Sequence, residues 1–194
     1  MKEINFYKYN RIFGIIAGLF SFVIFSLTVE PTASYWDCAE YISTSAKLQI
    51  GHPPGAPLFQ MLGAIFSILA FDVTQIAYAV NMMSVTSSAL TIMFLFWSIS
   101  LIAKEILKVK EIVKVSEAIK IFGSSFLGSI TFTFTDSFWY NAVEAEVYAM
   151  ATLILALLFW LGLKWVDDFG KVRSDKWLIL ISFVVGLSLS LIHI

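Results

Sequence analysis

Ile12-Phe13-Gly14-Ile15-Ile16-Ala17-Gly18-Leu19-Phe20-Ser21-Phe22-Val23-Ile24-Phe25-Ser26-Leu27-Thr28-Val29 is an uncharged run, close to the length a helix needs to cross about 30 Å of hydrocarbon. Lys2, Lys8 and Arg11 precede it, so the positive-inside rule directs the N-terminus to the cytoplasm and brings Glu30 out on the far face. The run is too long for the core of a signal peptide, and Glu30-Pro31-Thr32 is not a small-x-small cleavage site. It therefore reads as a retained first span. The whole chain has a membrane composition. Of its 194 residues 59% are hydrophobic and 14% charged, with a mean hydropathy of +0.83, whereas about a quarter of a soluble domain is charged.

The other charges settle the remaining topology. Val73 to Ala103 is ample for a second span and leads into Lys104-Glu105-Ile106-Leu107-Lys108-Val109-Lys110, with Lys114 and Lys120 beyond. If the shorter apolar stretch Ala56 to Phe71 also crossed, this lysine-rich segment would lie outside, against the rule. Ala56 to Phe71 is therefore expected at the outer surface or as a re-entrant segment. Ile121 to Thr135 returns outward, Trp139 and Tyr140 form an interfacial anchor, and Val147 to Leu163 goes back in. Lys164, Lys171, Arg173 and Lys176 mark a second cytoplasmic loop, and Trp177 opens a last span that carries His193 towards the outer face.

The predicted fold is all-α, a polytopic transmembrane helical bundle of about five spans near 12–30, 75–103, 121–138, 145–164 and 177–194. The outer loops are 31–72 and 136–146, with interfacial helices in the first. Leu178 to Ile194 ends inside an apolar segment without a charged flank, so the chain is expected to be the N-terminal part of a longer domain. A net charge of −1 with no basic stripe excludes a nucleic-acid partner. No nucleotide phosphate loop is present. The single cysteine, Cys38, excludes an internal disulfide and a thiolate metal site, and reads as a small buried residue.

This topology collects acidic groups outside. Tyr35-Trp36-Asp37-Cys38-Ala39-Glu40-Tyr41 is followed by Gly51-His52-Pro53-Pro54-Gly55. A helix from Trp36 to Leu48 places Asp37, Glu40, Tyr41 and Thr44 on one face. A carboxylate there, with an ordinary pKa of about 4, is ionised at neutral pH. It can act as a general base, a metal ligand, or simply a favourable charge at a helix N-terminus. The prolines reverse the chain and can aim His52 back at that face, either as an interfacial polar residue or as a donor to a phosphate. In the second loop Glu144 and Tyr148 share a face if the stretch is helical, and Glu146 then points away, so at most one of the two glutamates faces the same cavity. Asp136 reads as a helix-end charge. By spacing alone this is an outward-facing acidic site, open to proton-coupled transport or to catalysis.

The stretch from Trp36-Asp37-Cys38-Ala39-Glu40-Tyr41 through Gly51-His52-Pro53-Pro54-Gly55-Ala56-Pro57-Leu58 resembles a bacterial membrane family similar to the protein O-mannosyltransferases, within the GT-C class of lipid-dependent glycosyltransferases. Phe138-Trp139, Glu144-Ala145-Glu146-Val147-Tyr148 and the closing Gly186 to His193 resemble later parts of that family. Ala39 stands where the family commonly has glycine. The resemblance implies a GT-C-like fold and an inverting glycosyltransferase. It would move mannose or another hexose from a polyprenyl-phosphate sugar to a hydroxyl acceptor on a secreted or periplasmic protein or glycan. It implies Asp37 as catalytic base with Glu40 in support. His52, Tyr41, Glu144 and Glu146 are implied as substrate-binding residues, with His52 against the lipid phosphate. No cofactor is certain; a divalent cation held by Glu144 or Glu146 is a candidate, and the metal ligands are unassigned. The fragment alone is expected to be inactive. Usage rich in Ile, Phe and Lys points to a bacterial inner membrane with a periplasmic site. The alternatives are a proton-coupled transporter or lipid flippase, or a non-catalytic scaffold. Transporters place ionisable groups near the midplane, and these spans carry almost none.

Overall fold

The computed structural model describes residues 3–53 and 55–191, so His193 and Pro54 lie outside the described residues. Its elements are β1 (Glu3–Asn5), α1 (Phe6–Thr28), α2 (Cys38–Lys47), α3 (Pro57–Ile68), a 3-10 turn (Val73–Gln75), α4 (Ile76–Ile106), β2 (Ile112–Lys114), α5 (Val115–Thr133), α6 (Asp136–Ala142), α7 (Val147–Asp167) and α8 (Lys176–Ser188). The protein is an all-α membrane helical bundle. Among the described residues three helical segments, Phe6–Thr28, Val73–Ile106 and Val147–Asp167, are long and apolar enough to cross a membrane. Their outer faces are apolar: Leu19, Val23, Leu27, Leu155 and Phe159 are all exposed.

α4 is the central mast, and α1, α5 and α7 all pack on it. Apolar burial gives little drive between helices in lipid, so close approach through small side chains has to do the packing. α1 presents Gly14, Ala17, Gly18 and Ser21 as one buried stripe, and α4 buries Ser84, Ser88, Ser98 and Ser100. At Gly14 the approach is tightest. A Cβ there would stand 2.0 Å from Nε1 of Trp97. That indole cannot yield easily, because its N–H donates to the Asn10 carbonyl at 3.0 Å and its ring packs on Trp160 at 5.4 Å. Gly14→Ala is therefore expected to cost about 1–3 kcal/mol through overpacking. A lowered thermal unfolding midpoint in detergent checks this, and an unchanged midpoint would show that the crossing relaxes.

The two ends of the bundle differ in chemistry. At one end β1 pairs antiparallel with β2, Glu3 opposite Lys114 and Asn5 opposite Ile112. Asn5 also caps α1 by accepting the Lys8 amide at 2.9 Å. The sequence shows no strand signal here, because three-residue strands are too short for alternation to register. Asp167 joins the same end, accepting from Lys104 at 2.6 Å, Lys164 at 3.1 Å and the Tyr7 hydroxyl at 2.9 Å. The N-terminus, the lysine-rich segment and the end of α7 are thus bound together. At the other end the Glu30 amide donates to the Val143 carbonyl at 2.9 Å, and Phe25 packs on Phe138 and Trp139.

α2 and α3 form a hairpin at this second end, lying against α4. Twelve residues of α3 rise only about 18 Å, well short of the hydrocarbon thickness. Gln60 of α3 donates to the Thr44 hydroxyl at 3.2 Å, which ties the hairpin together. Cys38 is fully buried beneath it.

Candidate active site

α2 starts where the chain leaves a left-handed residue, Trp36 (φ 59), and enters helical geometry at Asp37 (φ −83, ψ −2). Asp37 occupies the N-cap position, yet its side chain makes no cap hydrogen bond. An Asp in that place usually accepts from an amide one turn ahead. Here the carboxylate makes no cap bond and stays half-exposed.

The far end of α2 returns His52 to the same spot. Leu48 adopts a left-handed conformation (φ 48), and the Gln49 amide donates to the Thr44 carbonyl at 2.8 Å. This reversal carries Gly51 and His52 back along the helix. Gly51 fits closely there: a Cβ would lie 3.0 Å from both Glu40 Oε1 and Gln60 Nε2, and both side-chain ends would have to give. His52 Nδ1 then stands 3.0 Å from Glu40 Oε2, and the His52 amide donates to Glu40 Oε1. His52 Nε2 lies 3.9 Å from Asp37 Oδ2. One imidazole thus bridges two carboxylates a helical turn apart. The bond from His52 holds the Glu40 carboxyl below its ordinary range, and the same bond raises the His52 imidazole.

Tyr41 packs on Phe59 at 5.0 Å and lies 6.4 Å from the His52 ring. Burial, with the charges of Glu146, Asp37 and Glu40, pushes its hydroxyl up to about 12. It stays a neutral donor throughout the physiological range.

Glu144 and Glu146 come from the connector between α6 and α7. That connector is not helical: Glu146 is extended (φ −126, ψ 149) at the N-cap position of α7. The expectation that only one glutamate can face the cavity presumed a helix and does not hold here. Both line one open cavity of about 310 Å³, together with Asp37, Tyr140, Asn141 and Tyr148. The Ser34 hydroxyl donates to Glu144 Oε2, while burial raises the Glu144 carboxyl. Glu146 is only 6% exposed. Burial first, then the Asp37 and Glu144 charges, push its carboxyl up to about 7. Glu40, held down by His52, and Glu146, pushed up by burial, are thus shifted in opposite directions, the arrangement that sets a proton holder apart from an ionised group. Asp136 opens α6 as its first residue.

A cation could be held by Asp37, Glu40 and His52, whose ligand atoms all lie within 4.8 Å of one another. Glu144 and Glu146 are not in that set. The direct Glu40–His52 bond satisfies two of the three groups without an ion. Sequence reasoning did not identify Asn81 or Ser34. Asn81 is fully buried in α4 and its amide donates to the Glu30 carbonyl at 2.7 Å and the Thr32 carbonyl at 2.9 Å. It pins the loop that delivers Asp37. An amide inside the first turns of a long apolar run is the available signal, since such a group must find partners.

Residues 37–194 match the family described as the protein O-mannosyl-transferase TMEM260 N-terminal domain. The chain is 27% identical over 141 residues to a protein O-mannosyl-transferase tmem260 of Dictyostelium discoideum, covering 72% of this chain and 15% of that protein. It is 25% identical over 166 residues to the protein O-mannosyl-transferase TMEM260 of Mus musculus, covering 86% of this chain and 21% of that protein. The chain thus spans about a fifth or less of the length of these relatives. No solved structure matches it. That match covers residues 37–194, including the acidic hairpin of α2 and α3, and the chain belongs to the family of TMEM260 N-terminal domains.

Proposed function

We propose that this chain forms the acceptor-activating part of a membrane glycosyltransferase. The reaction is transfer of mannose, or another hexose, from a polyprenyl-phosphate sugar to a hydroxyl on a protein acceptor, at the non-cytoplasmic face. The observation that carries this reading is the Asp37 carboxylate, uncapped at the start of α2 and standing at a cavity with Glu146.

In the proposed step the acceptor hydroxyl gives its proton to Asp37. Its oxygen forms a bond to the anomeric carbon as the bond from that carbon to the lipid phosphate breaks. The phosphate leaves with the electron pair from the opposite face, so the configuration inverts. The transition state is oxocarbenium-like, as in glycoside chemistry generally. His52, held by Glu40, stands beside Asp37 and presents its imidazole towards the phosphate. Tyr41 supplies a neutral hydroxyl beside it. Glu146, its carboxyl pushed up to about 7, offers a donor to the sugar or the acceptor at the cavity it shares with Asp37 whenever it holds its proton. The names of the relatives support sugar transfer to protein. Three features support an outward site: the N-terminal positive residues before α1, the lysines gathered at the opposite end, and the acidic groups gathered here.

The test is direct. Purified full-length protein is incubated with radiolabelled polyprenyl-phosphate mannose and a Ser/Thr-rich acceptor peptide. Label in the peptide is the expected result. No transfer from any polyprenyl-phosphate hexose would overturn the reading and favour a scaffold.

A further inference from the structure

We propose that the opposite, lysine-rich end of the bundle holds a binding site for the phosphate headgroup of an anionic phospholipid. A cavity of about 380 Å³ opens there between the start of α1, the ends of α4 and α7, and the start of α8, lined by Arg11, Lys164, Tyr7, Trp97, Trp160 and Trp177. The three tryptophans form a continuous wall, with Trp97 and Trp160 centred 5.4 Å apart and Trp160 and Trp177 6.1 Å apart.

Its charges do not balance. Asp167 is shared by Lys104 at 2.6 Å and Lys164 at 3.1 Å, so one carboxylate answers two ammonium groups. Arg11 has no carboxylate within 4.0 Å among the described residues. Lys164 is turned towards the aromatic wall, 5.3 Å from the Tyr7 ring and 5.8 Å from the Trp177 ring. Asp168 also stands at the wall, accepting the Trp177 indole N–H at 2.9 Å and Lys171 at 2.8 Å. Arg11, Lys104, Lys164 and Lys171 against Asp167 and Asp168 leave two positive charges in excess around a half-apolar cavity.

The chemistry of such a cavity selects its occupant. A guanidinium matches the oxygens of a phosphate with two parallel hydrogen bonds, and an ammonium beside it adds a point charge. Tryptophans favour the headgroup level of a bilayer, where one face is wet and the other apolar. A lipid tail alone would leave the cations unanswered, and a free anion would leave the indole wall facing water. A phosphodiester with acyl chains attached answers both. Basic pockets between helices on the cytoplasmic side take anionic headgroups for this reason. The site uses none of the residues of the proposed transfer reaction, and its test reads binding without any sugar transfer.

The experiment follows tryptophan fluorescence of the full-length protein in neutral detergent. It is titrated with short-chain phosphatidylglycerol, short-chain phosphatidylcholine and inorganic phosphate. A saturable change with phosphatidylglycerol alone is expected. Arg11→Gln should weaken it about 5- to 10-fold, the loss expected for one basic contact to an anionic lipid, with the unfolding midpoint unchanged because Arg11 is exposed. Arg11→Lys, which keeps the charge but loses the paired donors, should bind between Arg11→Gln and wild type. Equal binding by Arg11→Gln and wild type would overturn the proposal. So would the absence of a saturable response to phosphatidylglycerol. Saturation by inorganic phosphate at the same concentration would also overturn it, by making the site one for a soluble anion.

Discussion

Asp37→Asn in the full-length protein is expected to lower the rate of sugar transfer by about 10²–10⁴-fold, the usual contribution of a positioned general base. Asparagine has the shape of aspartate and is an equally good residue for the N-cap position. The start of α2 should therefore persist, and the donor KM should move little while kcat falls. The free state of the carboxylate is what makes the prediction sharp. Asp37 makes no cap bond, and among the described residues the basic group within 4.0 Å of it is His52, with Nε2 at 3.9 Å. Little structure is tied to its charge, so a large loss of rate with an unchanged unfolding midpoint would point to chemistry. Wild-type transfer by the variant would remove Asp37 from the mechanism.

Glu146→Gln should change the pH dependence of stability. The folded carboxyl sits at about 7, against an ordinary value of 4.5. The folded state therefore binds this proton more tightly than the unfolded chain. The resulting stabilisation is complete below pH 4.5 and is lost as pH rises through 7. Above that, wild type keeps a buried anion beside Asp37 and Glu144. Glutamine removes the anion while keeping the size of the group. At about 1.4 kcal/mol per pKa unit, the variant should gain up to about 3 kcal/mol at pH 8 over its standing at pH 4. Thermal unfolding of both proteins at the two pH values measures this. A difference that does not vary with pH would mean that Glu146 titrates as an ordinary solvated carboxyl.

The pH-dependent prediction was out of reach of the sequence, and the reason is local. Helical spacing across Glu144, Glu146 and Tyr148 sends the two glutamates to opposite sides. The chain instead breaks its helix between Ala142 and Val147, leaving Glu146 extended at the N-cap position of α7. Once it is extended, both glutamates reach the cavity at Asp37. A helix boundary displaced by a few residues reverses which side chains meet. Asp37, Glu40 and His52 are a different case. Their meeting follows from one short helix and one reversal, both encoded within 16 residues of continuous chain, Asp37 to His52.

The membrane character, the all-α class and the division into a lysine-rich and an acid-rich set of segments were determined by the amino-acid sequence itself. These depend on the length of apolar runs and on the order of charges, and both are properties of the chain before it folds. The partner of each face was decided by the tertiary structure. Trp97 can close over α1 because Gly14 lacks a Cβ, and Asn81 can hold the loop before Asp37 because α4 passes beneath Glu30 and Thr32. Asp167 can bind Lys104 because α7 ends where α4 ends. Periodicity states which residues share one side of a helix. Which helix packs against that side depends on steric fit between segments far apart in sequence, and the folded bundle supplies that fit.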